Sequence, residues 1–119
     1  MLKVASLNKI FFIFFVFLIF EVSAFSKPIP QIINYSPSEY GALTQNWGVT
    51  EDKDGRIYFA NNNGVLIYDG SNWKLINLPD FKSARSISSD PNGNVIVGSR
   101  GSFGFIKNNN IGEPKFISL

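Results

Sequence analysis

With eleven basic and nine acidic side chains in 119 residues, the chain carries a formal charge of only +2, and so offers no basic stripe to nucleic acid. Cysteine and histidine are both absent, which excludes disulfide staples and removes the commonest general base and metal ligand. No catalytic residue, metal or cofactor is expected on these grounds.

The N-terminus comes first in chain order. Lys3 and Lys9 precede an unbroken apolar run, "IFFIFFVFLIF" from Ile10 to Phe20, followed by Val22-Ser23-Ala24. A basic start, a short apolar centre and a small-x-small exit predict a secretory signal peptide over residues 1–24. An uncleaved anchor is the alternative. The apolar run alone would reach only ~16 Å as a helix, about half of a hydrocarbon core. The expected location is therefore outside the inner membrane, periplasmic, with membrane contact only through this segment.

Residues 25–45 form a lead segment in which "QIINY", Gln31 to Tyr35, reads as a single strand suited to closing a ring. From Asn46 the pattern changes. "NWGVT", "RIYFA", "VLIYD" and "WKLINL" are short β-formers, divided by "DKDG", "NNNG" and "GSN". Asp-Gly and Asn-Gly supply the left-handed positions that tight turns need. Within "RIYFA", Ile57 and Phe59 share one face and Tyr58 takes the other. Residues 46–83 thus read as a four-stranded antiparallel meander.

A second unit, residues 84–119, repeats it through "RSISS", "NVIVG", "FGFIK" and "KFISL". "VTEDKDGRIYFA" aligns with "ISSDPNGNVIVG" at an offset of 38, setting Asp52 on Asp90 and Gly55 on Gly93. Beyond that the match slips by a residue, with Gly64 answering Gly101. No segment after the signal carries helical spacing. Several strands are apolar on both faces, so both faces of each sheet should be covered. Four-stranded units of about 40 residues stacked face to face describe β-propeller blades. The expected class is all-β, a partial propeller of two blades after a signal helix. A solenoid and a single small β-sandwich are the alternatives, although a sandwich would not need turn glycines in register at a fixed repeat.

The ordered stretch "EDKDGRIYFANNNGVLIYDGSNW" resembles the blade motif of two-component regulator propellers. The second unit, with "GSFGF" and a terminal "SL", is similar to the blade that follows in triple-tyrosine sensor proteins, and "NYSPSEYGALTQNWGV" looks like the approach to their first blade. The resemblance covers Ile29 to Leu119. It implies a periplasmic propeller followed by a tyrosine-bearing sandwich, a membrane helix and a kinase or DNA-binding output. The chain has two units and none of those later parts, which makes it the expected beginning of such a receptor. The implied role is non-catalytic ligand sensing. The implied partners are the remaining blades or a receptor partner, with a carbohydrate or other small molecule as ligand. A secreted adhesion or scaffold module is the second reading, and a propeller hydrolase or lyase the third.

Candidate sites follow from this layout. Asp52, Asp54 and Asp90 do not complete an EF-hand loop, whose ligands alternate up to a distal glutamate; they read as turn formers. Trp47 and Trp73, at strand ends, read as packing residues. Loops between strands two and three of each unit should open on the same side as those entering the first strands. That side collects Asn46, Asn62, Arg85, Arg100 and Ser102 as the expected ligand-binding residues.

Overall fold

The computed structural model describes residues 2–21 and 27–119. The expected exit, Val22-Ser23-Ala24, lies outside them. The chain divides into two compact units, one ending at Ile33 and one from Asn34 to Leu119.

The first unit holds helix α1, Leu2–Glu21. It is longer than the apolar run because Leu2 to Lys9 contain neither glycine nor proline and continue the helix at little cost. Its described side chains are exposed all round, Phe11, Phe12 and Phe14 among them. No helix among the described residues is long and apolar enough to cross a membrane.

The second unit is two four-stranded antiparallel sheets, each a simple meander, not closed into a barrel. Sheet 1 runs β1 (Asn46–Glu51), β2 (Ile57–Asn61), β3 (Gly64–Tyr68) and β4 (Trp73–Ile76). Sheet 2 runs β5 (Ala84–Ser89), β6 (Val95–Ser99), β7 (Ser102–Asn108) and β8 (Pro114–Ser118).

Residues 31–35 are not in a strand, and two other expectations fail here. Next, the lead contains a single helical turn, α2 (Pro37–Tyr40), and the sheets are joined by a 3-10 turn at Pro79–Phe81. These are too short for periodicity to reveal. Their signals are local: Ser36 N–H donates to Glu39 Oε2 at 2.6 Å, Pro37 opens the turn, and Gly41 closes it at φ 69°. Last, the repeat does not slip. Ile57 pairs with Tyr68 and Asn61 with Gly64, while Val95 pairs with Ile106 and Ser99 with Ser102. The offset of 38 therefore continues through the second hairpin, and Gly64 answers Ser102. Only the last strand departs from it, because β7 and β8 extend further before turning at 109–113.

The turns also differ from the reading of Asp-Gly as a left-handed pair. Only Gly55 has positive φ, 82°, and Gly93 repeats this at 81°. Each closes a type I turn with a following bulge: Gly55 N–H donates to Asp52 O, and Asp52 N–H to Arg56 O. Gly93 with Asp90, and Gly112 with Asn109, repeat the same pair of bonds.

The two sheets pack face to face. Strand pairing puts Thr50, Tyr58, Ala60, Val65, Ile67 and Ile76 on one face of sheet 1. Against it lie Ile87, Val95, Val97, Ile106 and Phe116 of sheet 2, in one shared apolar core. Contact is densest where β5 crosses β1 and β2. A side chain at Gly48 would just touch Ile87, and Thr50 Oγ1 bonds Ser89 Oγ at 2.9 Å.

The opposite face of sheet 1 is half covered by the lead. Tyr35 meets Trp73 edge-on and Tyr40 meets it at a tilt, Trp73 also meets Phe59 and Tyr68, and Tyr35 Oη bonds Tyr68 Oη at 2.9 Å. The outer face of sheet 2 is bare among the described residues, exposing Ile96, Phe103, Ile117 and Leu119.

Candidate functional site

Both first strands carry a β-bulge at the same point. Pairing shifts between Asn46 and Gly48 in β1 and between Ala84 and Ser86 in β5. The extra residues are Trp47 and Arg85. A bulge turns its extra side chain out of the regular alternation, and here the two meet: the Arg85 guanidinium stands 4.5 Å from the Trp47 ring centroid. They join the two sheets at the end where the β2–β3 and β6–β7 turns emerge.

The indole is held at its edge. Trp47 Nε1–H donates to Asn62 Oδ1 at 2.8 Å, and Asn62 Nδ2 donates to Gln45 Oε1 at 3.2 Å. The Asn62 backbone N–H also donates to Gln45 O. Trp47 stays 46% exposed, Arg85 is exposed, and Arg85 has no ion-pair partner among the described residues. The result is a fixed aromatic plate with an unpaired, oriented guanidinium and two side-chain amides. Such a set suits a carboxylate or polyol, since guanidinium donates in a fork and amides both donate and accept.

Of the five sequence-expected residues, Asn62 and Arg85 are brought together, through Trp47. Asn46 is not part of that group. Its Oδ1 accepts from Asn61 Nδ2 at 2.9 Å, and Asn61, fully buried, also donates to Leu43 O; this amide cluster holds the lead to sheet 1. Ser102 Oγ bonds Ser99 Oγ at 2.7 Å within its own hairpin. Arg100 occupies in sheet 2 the position of Asn62 in sheet 1, and no hydrogen bond among the described residues ties it to Arg85. Trp47 and Gln45 are the additions. Trp47 reads as a packing residue in sequence because nothing in "QNWGVT" announces a bulge; Trp73 does pack.

At the opposite end of the sheets, Asp52 is buried and paired. Its carboxylate accepts from Tyr58 Oη at 2.8 Å, from Arg56 Nε at 2.8 Å, and from the backbone N–H of Asp54 and Arg56. Burial pushes this carboxyl upward, but the four bonds outweigh it and hold it below its ordinary value. Burial and the bond to Asp52 raise Tyr58 far above the usual phenol range. Asp90 accepts from the N–H of Asn92 and Asn94 and from Asn94 Nδ2. Both aspartates thus serve their turns. A shallow cleft of about 280 Å³ lies between these turns, beside Lys53, Arg56 and Lys107, and another of about 520 Å³ lies by the ends of β4 and β8. Neither includes an expected site residue. Comparison with protein-family models, with curated proteins and with solved structures returned no match.

Proposed function

We propose that the two sheets are consecutive blades of a ligand-sensing β-propeller exported from the cytoplasm, the N-terminal part of a non-catalytic receptor of the two-component regulator type. One observation carries the propeller half of this reading. The bare face of sheet 2 is the counterpart, 38 residues on, of the face that sheet 1 buries. Tyr58, Ala60, Val65 and Ile67 correspond to Ile96, Gly98, Phe103 and Phe105, by identical strand registers. Val65 is fully buried, whereas Phe103 is 55% exposed. A self-contained two-layer sandwich would place polar side chains on that outer face; a stack that continues needs it apolar.

The sensing half rests on the resemblance of "EDKDGRIYFANNNGVLIYDGSNW" and on the Trp47–Arg85–Asn62 group, which spans two blades on one side of the sheets. A small carbohydrate, recognised by ring stacking and amide bonds, is the class of ligand that this group fits. The mechanism would be binding without chemistry, with the output carried elsewhere. The secreted adhesion reading shares these surfaces and differs only in lacking an output.

Two measurements test the reading. A β-lactamase fused after Leu119 should confer resistance only if the N-terminus drives export, and a sensitive strain would contradict it. Screening the chain against a panel of neutral and acidic oligosaccharides should give binding that Trp47→Ala and Arg85→Ala each weaken at least about tenfold, the worth of one good polar contact. Binding indifferent to both substitutions would remove the site.

A further inference from the structure

Acidic and basic side chains are sorted between the two ends of the sheets. From Asn34 onward, Glu51, Asp52, Asp54, Asp69, Asp90 and Glu113 all stand in or beside the turns that join β1 to β2, β3 to β4, β5 to β6 and β7 to β8. Basic neighbours, Arg56 on Asp52 among them, offset these only in part. At the other end, the connections β2–β3, β4–β5 and β6–β7 contain one acid, Asp80, which lies 3.9 Å from Lys82 Nζ. That end carries Arg85 and Arg100, both exposed and neither in an ion pair among the described residues.

The repeat sets these two arginines at neighbouring places. The bulges coincide, so Arg85 takes in sheet 2 the place of Trp47, and the β6–β7 register puts Arg100 where sheet 1 has Asn62. In sheet 1 the two places are joined by the 2.8 Å hydrogen bond from the indole. In sheet 2 they hold two like charges, which repel unless an anion lies between them. The side-chain hydrogen bonds at this end run from Trp47 to Asn62 to Gln45, and between Ser99 and Ser102, and use neither guanidinium. The Arg85 guanidinium lies over the indole, so a ligand that meets the exposed part of Trp47 comes against fixed positive charge. A neutral sugar leaves that charge unanswered.

We propose that the ligand of this group is an acidic saccharide, its anionic group shared between Arg85 and Arg100 and its hydroxyls on the Asn62 and Gln45 amides. The proposal rests on the reading of Trp47, Arg85 and Asn62 as a ligand site and narrows that site to one charge class. A carboxylate or a sulfate ester presents the paired oxygens that a guanidinium fork takes, while amides both donate to and accept from hydroxyls. The acidic far end repels an anion, which favours approach from the basic side.

Isothermal titration calorimetry on the full chain tests this with oligosaccharides in matched forms: oligouronides and their neutral methyl esters, and sulfated and unsulfated oligogalactans. At least one acidic member should bind about tenfold or more tightly than its neutral match, the worth of one charge-assisted bond. Its affinity should fall as salt rises from about 0.01 M to about 0.15 M. Which matched pair shows the preference tells a carboxylate from a sulfate. Arg85→Gln and Arg100→Gln should each reduce the preference for the acidic form while leaving the melting midpoint in place, since both side chains are exposed. Asn62→Ala should weaken acidic and neutral forms alike. Neutral members that bind as tightly as acidic ones, and are still weakened by Trp47→Ala, would overturn the acidic ligand and leave the site standing. A preference for the acid that survives both arginine substitutions would also overturn the proposal. Absence of binding by every member would remove the site and this inference together.

Discussion

Asp52 shows how one side chain can organise a turn and a core at once. Its carboxylate satisfies two backbone N–H groups, the Arg56 guanidinium and the buried Tyr58 hydroxyl. Replacing it with alanine leaves that hydroxyl without a partner inside the unit, which should cost about 3 kcal/mol. Urea unfolding would measure it, and Asp90→Ala, whose partners are all exposed, should cost clearly less. The pH dependence has a defined sign. The folded Asp52 carboxyl lies below its ordinary value of 3.8, so its contribution is complete above that value and is lost as pH falls through the folded one. Asp52→Ala should remove this part of the acid sensitivity, and an unchanged acid transition would contradict the assignment. The turn role of both aspartates was legible, since Asp-x-x-Gly is a turn pattern. The reach of Tyr58 Oη back to Asp52 was not, because alternation fixes a side chain's face and not its partner. Trp47 was misread for a related reason: a bulge is a backbone irregularity with no composition of its own.

The strands illustrate what pattern does and does not convey. Most form where β-branched and aromatic residues cluster beside turns, β5 with Ile87 alone being the exception, and "VLIYD" and "NVIVG" fall within a residue or so of β3 and β6. Ends were less legible. β4 stops at Ile76, short of the expected "WKLINL", because Pro79 cannot continue a ladder and Leu78 turns into the core. Residues 31–35 are not in a strand, since "QIINY" has β-forming residues but no neighbouring edge to pair with. Register carries the clearest prediction at this scale. Gly64 approaches the Ile76 carbonyl so closely that a Cβ would collide with it, at a φ of 137° that also disfavours any side chain. Gly64→Ala should therefore destabilise the chain by more than about 2 kcal/mol through strain and lost β3–β4 pairing. Its counterpart Ser102 already bears a side chain, so Ser102→Ala should shift the unfolding midpoint little. A mild effect at Gly64 would show that the hairpin does not hold this register.

At the level of the whole molecule, the one-residue bulge, the bonds of the first turn and the registers of the first two hairpins recur at a spacing of 38 residues, and the two resulting sheets share a single core. Repetition was legible, because the turn of Asp52 and Gly55 recurs as Asp90 and Gly93. The direction in which the second sheet docks was not, since both faces of each strand set are apolar and sequence alone cannot choose between them. The structure makes that choice through small residues at Gly48 and Ala60, which admit Ile87, and it leaves the equivalent face of sheet 2 bare. Everything proposed about further blades and a ligand group spanning two sheets depends on that one docking geometry. Its most direct test is nuclear Overhauser spectroscopy on isotopically labelled protein. Cross-peaks are predicted between the Ile87 methyls and the Gly48 α-protons, and between Thr50 and Ser89. A spectrum with complete ladders inside each sheet and no cross-peak between β1 and β5 would contradict the account.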